Sequence, residues 1–189
     1  TTTAGTSNFR AGVNAGNSIT SGGNYNVTVG DEAGTAITTG DRNAIVGYAA
    51  GDALTEGGSN VSVGYLSLTA DTKGSRSVAV GDLALTSQNF TSATNALNTA
   101  VGYAAGYAVS TGTENTLIGA SAGGAVTTGA QNTLIGTYAG DALTTGNNNV
   151  AVGVNSLTTD TLGDRNVAVG VAALSTQNFT STTDSYNTA

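Results

Sequence analysis

A glycine that closes a short β-branched run returns at positions 30, 47, 64, 81, 102, 119, 136, 153 and 170, and Gly12 closes a degenerate first copy. From Gly30 on, the steps between these glycines are 17 residues, except for one of 21 between Gly81 and Gly102. A unit so short is a single supersecondary element that cannot bury its own apolar face, so neighbouring units must stack into a continuous core. Seventeen residues are too few for a pair of helices, yet enough for two short strands and two tight turns. The chain is therefore predicted to be all-β, a parallel β-solenoid (β-roll) of about ten coils with one repeat per coil. Successive coils lie about 4.8 Å apart and are hydrogen-bonded in parallel.

Within each unit the side chains recur in columns. Four residues before the glycine stand Asn26, Asn43, Asn60, Asn98, Asn115, Asn132, Asn149 and Asn166, with Ser77 in the same place in one copy. Stacked at one level per coil, these residues are expected to form a structural ladder, amide to amide. The residue before the glycine is always Val or Ile, which marks a strand of about five residues. The residue two before it is often apolar as well (Ile45, Leu117, Leu134). A strand apolar on both faces is buried on both, so one face is expected to fill the coil and the other to need a cover from outside the chain. Proline is absent, as suits a backbone whose every N–H is wanted by a neighbouring coil.

The rest of each unit comes in two versions. One is glycine-rich, as in the segments 47–57, 102–112 and 136–146; the other carries Leu, as in 64–74 and 153–163. Three of the first are followed by two of the second, the last with four extra residues, and this five-coil set occurs twice. The chain divides accordingly into a first module at 1–100 and a second at 101–189, forming one continuous rod.

Composition narrows the function. Five Lys plus Arg stand against 12 Asp plus Glu, a net charge of −7; nucleic acid, whose phosphates demand clustered cations, is not an expected partner. No apolar run approaches the ~18 residues of a membrane span, so no membrane insertion is expected in this segment. The chain opens on Thr1 with neither Met nor a signal-like segment, which reads as a processed chain or a piece of a longer one. Without Cys or His the usual nucleophile–base pairs are missing. Asp52 and Asp141 match one another between modules, as do Asp71 and Asp160, so these carboxylates are expected far apart on the rod. No enzymatic activity, cofactor or metal is predicted.

Surface candidates remain. Phe90 and Phe179 sit in the four-residue extensions, either as turn residues packed over the coil edge or as a contact patch for another molecule. Each lies in an Asn-Phe-Thr triplet, which makes Asn89 and Asn178 candidate glycosylation sites. Tyr48, Tyr65 and Tyr103 follow the glycine directly, either as exposed aromatics of the kind that stack on sugars or line interfaces or as covers for a coil corner. Columns of Thr at 38, 55 and 72, and again at 127, 144 and 161, raise an ice-binding alternative.

The motifs "NTAVGYAAG" at 98–106, "NVAVG" at 149–153 and 166–170, and "SVAVG" at 77–81 resemble the head repeats of YadA-type trimeric autotransporter adhesins. They are also similar to the "NTAVG" repeat arrays of bacteriophage tail fibres. The resemblance covers nearly the whole chain. It implies a trimer of parallel β-rolls, an extracellular, cell-surface or virion location, and attachment to a host-surface glycan or receptor. The expected function is thus a non-catalytic structural segment of a fibre, self-associating as a homotrimer or end to end. The alternative is a single-chain solenoid that binds glycan or ice.

Overall fold

The computed structural model describes residues 5–179, 181 and 183–189. Fourteen strands follow one another: β1 (Phe9–Ala11), β2 (Val27–Val29), β3 (Ala44–Val46), β4 (Val61–Val63), β5 (Gly74–Ser75), β6 (Val78–Val80), β7 (Thr94–Asn95), β8 (Thr99–Val101), β9 (Thr116–Ile118), β10 (Thr133–Ile135), β11 (Val150–Val152), β12 (Gly163–Asp164), β13 (Val167–Val169) and β14 (Thr183–Asp184). No helix occurs among the described residues. Ten of the strands make one sheet in the order β1-β2-β3-β4-β6-β8-β9-β10-β11-β13, every pair parallel. Each residue faces its equivalent one repeat on, as in Val27↔Ala44 and Thr133↔Val150. The chain is a parallel β-solenoid whose sheet passes without a break from the first module into the second. Nine steps of about 4.8 Å give that sheet a length of about 43 Å.

The strands are three residues long, not five, and each regular coil contributes one strand rather than two. Backbone conformation sets both limits. The residue just before the column Asn is left-handed in coil after coil (Arg42 φ 58, Ser59 φ 60, Glu114 φ 60), and the closing glycine has φ near that of Gly47, 136. Between these two bends lie four residues, and the N–H of the first, the column Asn, goes to a side-chain oxygen of the neighbouring coil, which leaves three strand residues. The second half of the coil is a run of turns, yet its backbone still bonds to the next coil, as in Gly34 N–H to Ala50 O at 2.9 Å and Thr38 N–H to Thr55 O at 2.9 Å. The additional two-residue pairs, β5·β7 and β12·β14, occur beside the extended coils.

The closing glycine has a second reason to be glycine. A Cβ on Gly47 would lie 2.4 Å from the carbonyl oxygen of Gly64 in the next coil, so a side chain here obstructs stacking itself.

The two versions of the repeat are two ways of filling the coil. In the glycine-rich coils the side chain seven residues after the closing glycine points inward: Ile19, Ile37, Leu54, Val109, Val126 and Leu143 are buried. The residue four after is then glycine, because its neighbours leave no room; a Cβ on Gly106 would stand 2.7 Å from Leu117 and 2.9 Å from Leu85. In the other coils Leu68, Leu85 and Leu157 occupy that fourth position and fill the volume themselves, each in a left-handed backbone conformation. The seventh position is thereby released from its apolar duty and holds Asp71, Gln88, Asp160 and Gln177.

The apolar core divides into a group from Ile19 to Leu54 and another from Leu68 to Ala168. The division falls beside Ser62 and Ser67, whose hydroxyl oxygens meet at 2.6 Å inside the coil, and not at the boundary between the modules.

Candidate functional site

Strands β2–β4, β6, β8–β11 and β13 have one buried position, two before the glycine. Ile45, Ala79, Ala100, Leu117, Leu134, Ala151 and Ala168 are wholly buried there. The flanking residues of the same strands face out, and nothing among the described residues covers them: Val46 is 37% exposed, Ile118 37% and Val169 59%. Of the exposed large apolar side chains, all but Tyr107 and Tyr138 stand at four places. These are one residue before the column Asn (Tyr25, Leu97, Tyr186), one after it (Phe9, Val27, Val167), three after it (Val46, Val101, Ile118, Val169) and five after it (Val13, Tyr48, Tyr65, Tyr103, Val154, Val171). The four places alternate with inward-facing residues, so the apolar exterior is gathered on the outer face of the ten-stranded sheet and its two rims.

Tyr48, Tyr65 and Tyr103 lie along one rim, all about half exposed. The rings of Tyr48 and Tyr65 stack on each other with centroids 5.7 Å apart and planes 13° from parallel. Asp31 and Asp82 occupy the same column one coil below and one coil above the pair. Asp82 Oδ1 accepts the N–H of Tyr65 at 3.0 Å. The opposite rim carries Arg42, Arg76 and Arg165. Asp184 and then Tyr186 raise the pKa of the Arg165 guanidinium above its ordinary value.

The Asn column is fully buried and works harder than an amide-to-amide ladder. Each Oδ1 accepts the backbone N–H of the next member, as in Asn43 to Asn26 (2.9 Å) and Asn166 to Asn149 (2.9 Å). From Asn26 to Asn149 each Nδ2 donates to a glycine carbonyl further along the chain, as in Asn60 to Gly74 (2.9 Å) and Asn98 to Gly112 (2.7 Å), whereas Asn166 Nδ2 donates to Asp160 Oδ2 (3.3 Å). Contacts between side-chain amides occur as well, for example Asn149 Nδ2 to Asn132 Oδ1 at 3.1 Å. The column also runs further than the sequence pattern indicated, since Asn8 Oδ1 accepts from Asn26 N–H at 2.8 Å and Asn187 N–H donates to Asn166 Oδ1 at 3.3 Å.

Other candidates lie differently. Phe90 is only 7% exposed and Phe179 is half-buried, so neither is an open contact patch; both pack down beside a buried Asp, whose Oδ1 accepts the phenylalanine N–H at 3.1 Å in each module. Asn89 and Asn178 are exposed and accept hydrogen bonds from Thr72 (3.2 Å) and Thr161 (3.1 Å). The last residue of the Asn178 triplet, Thr180, lies outside the described residues. The Thr column is engaged within the rod: Thr38, Thr55, Thr127 and Thr144 donate their hydroxyls to the carbonyl of the Thr one coil on, at 2.9–3.1 Å.

A connection that no sequence motif marked joins Asp71, Gln88 and Asn98. Gln88 Nε2 donates to Asp71 Oδ2 (2.6 Å) and to Ser77 Oγ (3.1 Å), while Asn98 Nδ2 donates to Gln88 Oε1 (2.9 Å). Gln88 thus ties Ser77, which stands in the column without an amide, to Asn98 at the next level. The described residues contain no pocket, no set of three or more metal-ligating side chains, and no helix long and apolar enough to cross a membrane. Compared with protein-family models, with curated proteins and with solved structures, the chain gives no match.

Proposed function

We propose that this chain is a non-catalytic structural segment of an extracellular or virion fibre, an adhesin head or stalk or a tail fibre, that takes part in attachment and self-associates through the outer face of its sheet. The observation that carries this reading is the gathering of exposed apolar side chains on that one face. About 43 Å of sheet by five residues at about 3.3 Å each is roughly 700 Å². That footprint is close to the ~800 Å² each partner buries in a stable interface.

The rims favour a parallel arrangement. A parallel neighbour turned about the rod axis brings the Arg42 and Arg76 rim of one chain against the Asp31 and Asp82 rim of the next, whereas an antiparallel neighbour brings like rims together. Three such chains closing around their sheets form the homotrimer implied by the adhesin-like repeats. Light scattering on the isolated segment tests this; a folded sample at micromolar concentration with the mass of one chain overturns it.

A second reading, a single-chain module that binds glycan, is supported by the exposed Tyr48, Tyr65 and Tyr103 rim. Glycan binding by a monomeric sample, lost on replacing those tyrosines with Ala, is the result that selects it.

A further inference from the structure

The ladders that build this rod are nearly interchangeable. Sliding one stretch past another by a whole coil keeps Asn on Asn, β-branched on β-branched and Thr hydroxyl on carbonyl, so these columns say little about which coil stacks on which. Strand register is weakly specified wherever a shift restores the same pattern. One inner column is different. Seven residues after the closing glycine it is apolar at three successive levels, and at the next two it holds an Asp followed by a Gln.

The contacts of that pair are the same in both modules. Asp71 Oδ1 accepts the N–H of Gly74 (2.9 Å) and of Phe90 (3.1 Å), and Oδ2 accepts Gln88 Nε2 (2.6 Å). Asp160 accepts from Gly163 (3.1 Å), Phe179 (3.1 Å) and Gln177 (2.6 Å). The glutamine oxygen accepts in turn from Asn98 (2.9 Å) and from Asn187 (2.7 Å). Asp71 and Gln88 are wholly buried, and neither bonds to a cation. Each pair is satisfied only when the Asp coil lies directly beneath the Gln coil.

We propose that Asp71–Gln88 and Asp160–Gln177 are register keys, which fix the order of coils in a chain whose other ladders tolerate slippage. If the coil spanning 78–98 is looped out, the carboxyl group of Asp71 faces Val109, and a buried polar group without its partner is heavily penalised. A lone polar residue in an apolar seam sets the register of coiled coils by the same means. The keys also explain why both extended coils carry the Gln: slippage is most damaging where coil length changes. This inference is independent of the fibre reading.

The chain has no native cysteine, so a disulfide can report the register. Val61 and Val78 are paired Cα partners, and Thr99 lies one level beyond Val78. A V61C/V78C disulfide therefore forms in the correct stack. In V61C/T99C the cysteines stand about 9.6 Å apart, beyond reach of a disulfide, until slippage makes them neighbours. Refolding from urea in a thiol–disulfide buffer, with intrachain cross-links counted by peptide mass, is expected to give the 61–78 link and only background 61–99 link in the parent sequence. In a chain also carrying D71V, Q88V, D160V and Q177V the 61–99 link is expected to rise at least tenfold. An unchanged level in that folded chain overturns the proposal. Should it fail to fold, D71N with D160N, which retains the shape of both side chains, is expected to raise the 61–99 link about threefold; no rise overturns the proposal equally.

Discussion

Asn132 turns two donors on a single atom of Asn115: its backbone N–H and its Nδ2 reach Asn115 Oδ1 at 3.0 Å and 3.1 Å, in a column closed to water. Asn115 also donates to the carbonyl of Gly129 at 2.9 Å. One side chain thus satisfies two backbone groups of the next coil, a donor and an acceptor, a role neither Asp nor Ala can fill. Asn115→Ala strands the Asn132 N–H and the Gly129 carbonyl, at about 1–3 kcal/mol for each buried group left unpaired. A loss of about 3 kcal/mol is expected in urea denaturation. A loss below about 1 kcal/mol means the column is ornamental.

Ser77 is the natural gap in that column, and the other module shows what fills it. Asn166 stands at the equivalent level and fits beside Asp160, with Nδ2 at 3.3 Å from Oδ2. Ser77→Asn is therefore expected to change stability by less than about 1 kcal/mol, within the range of tolerated substitutions. Thermal melts of the two chains should nearly coincide.

Thr28 is the single described side chain whose buried polar atom has no partner: its Oγ1 is unbonded inside the coil. The position is one where other coils carry Ile45 or Leu117. Replacing the hydroxyl by a methyl group of similar size removes an unsatisfied group without opening a cavity, so Thr28→Val should stabilise by about 1 kcal/mol. The urea midpoint should rise with an unchanged slope.

Architecture was legible because a period is a global constraint: every copy of the Val-Gly closure repeats the same vote for one coil per 17 residues. The direction each residue faces was only half legible. Ile45 and Val46 are equally apolar, and alternation alone does not say which of them meets the core; the left-handed residue at Arg42 and the glycine at 47 decide it. The contrast between Gly106 and Leu85 was visible as two spellings of the repeat, but its meaning was not. Only the packing reveals that the inward side chain moves from the seventh place to the fourth and leaves room for Gln88. For Phe90, in an insertion, the sequence leaves two readings open, a turn residue packed over the coil edge and a contact patch. Its side chain is buried in the structure, and its N–H is held by Asp71.

If the outer sheet face is the self-association surface, charge placed there should separate assembly from folding. Val101 and Ile118 are outward neighbours on adjacent strands, exposed in the single chain. Val101→Glu with Ile118→Glu leaves every inward column intact, so the isolated coil stack should lose no more than about 1 kcal/mol. The buried like charges brought together in a complex are strongly unfavourable. Light scattering should show the mass fall to that of one chain while the circular dichroism of the β-rich fold persists. An unchanged oligomer places the interface elsewhere.

The closing glycines allow backbone strain to be separated from obstruction. Gly153 and Gly170 have almost the same conformation, φ 137 and 132. They differ in what lies above: a Cβ on Gly153 would stand 2.3 Å from the Gly170 carbonyl oxygen, whereas a Cβ on Gly170 meets nothing within 4 Å. Either substitution by Ala incurs the cost of a backbone conformation that side-chain-bearing residues rarely adopt, about 1–3 kcal/mol. Gly153→Ala must in addition force two coils apart, for which overpacking suggests about 1–3 kcal/mol more. The difference between the two variants therefore measures coil-on-coil contact free of conformational strain. In a solenoid whose stability is the sum of units and their interfaces, that difference should appear as early exchange of amide hydrogens in the coils beyond Gly153. Equal costs and uniform exchange would show that the coils do not rest on one another at this point.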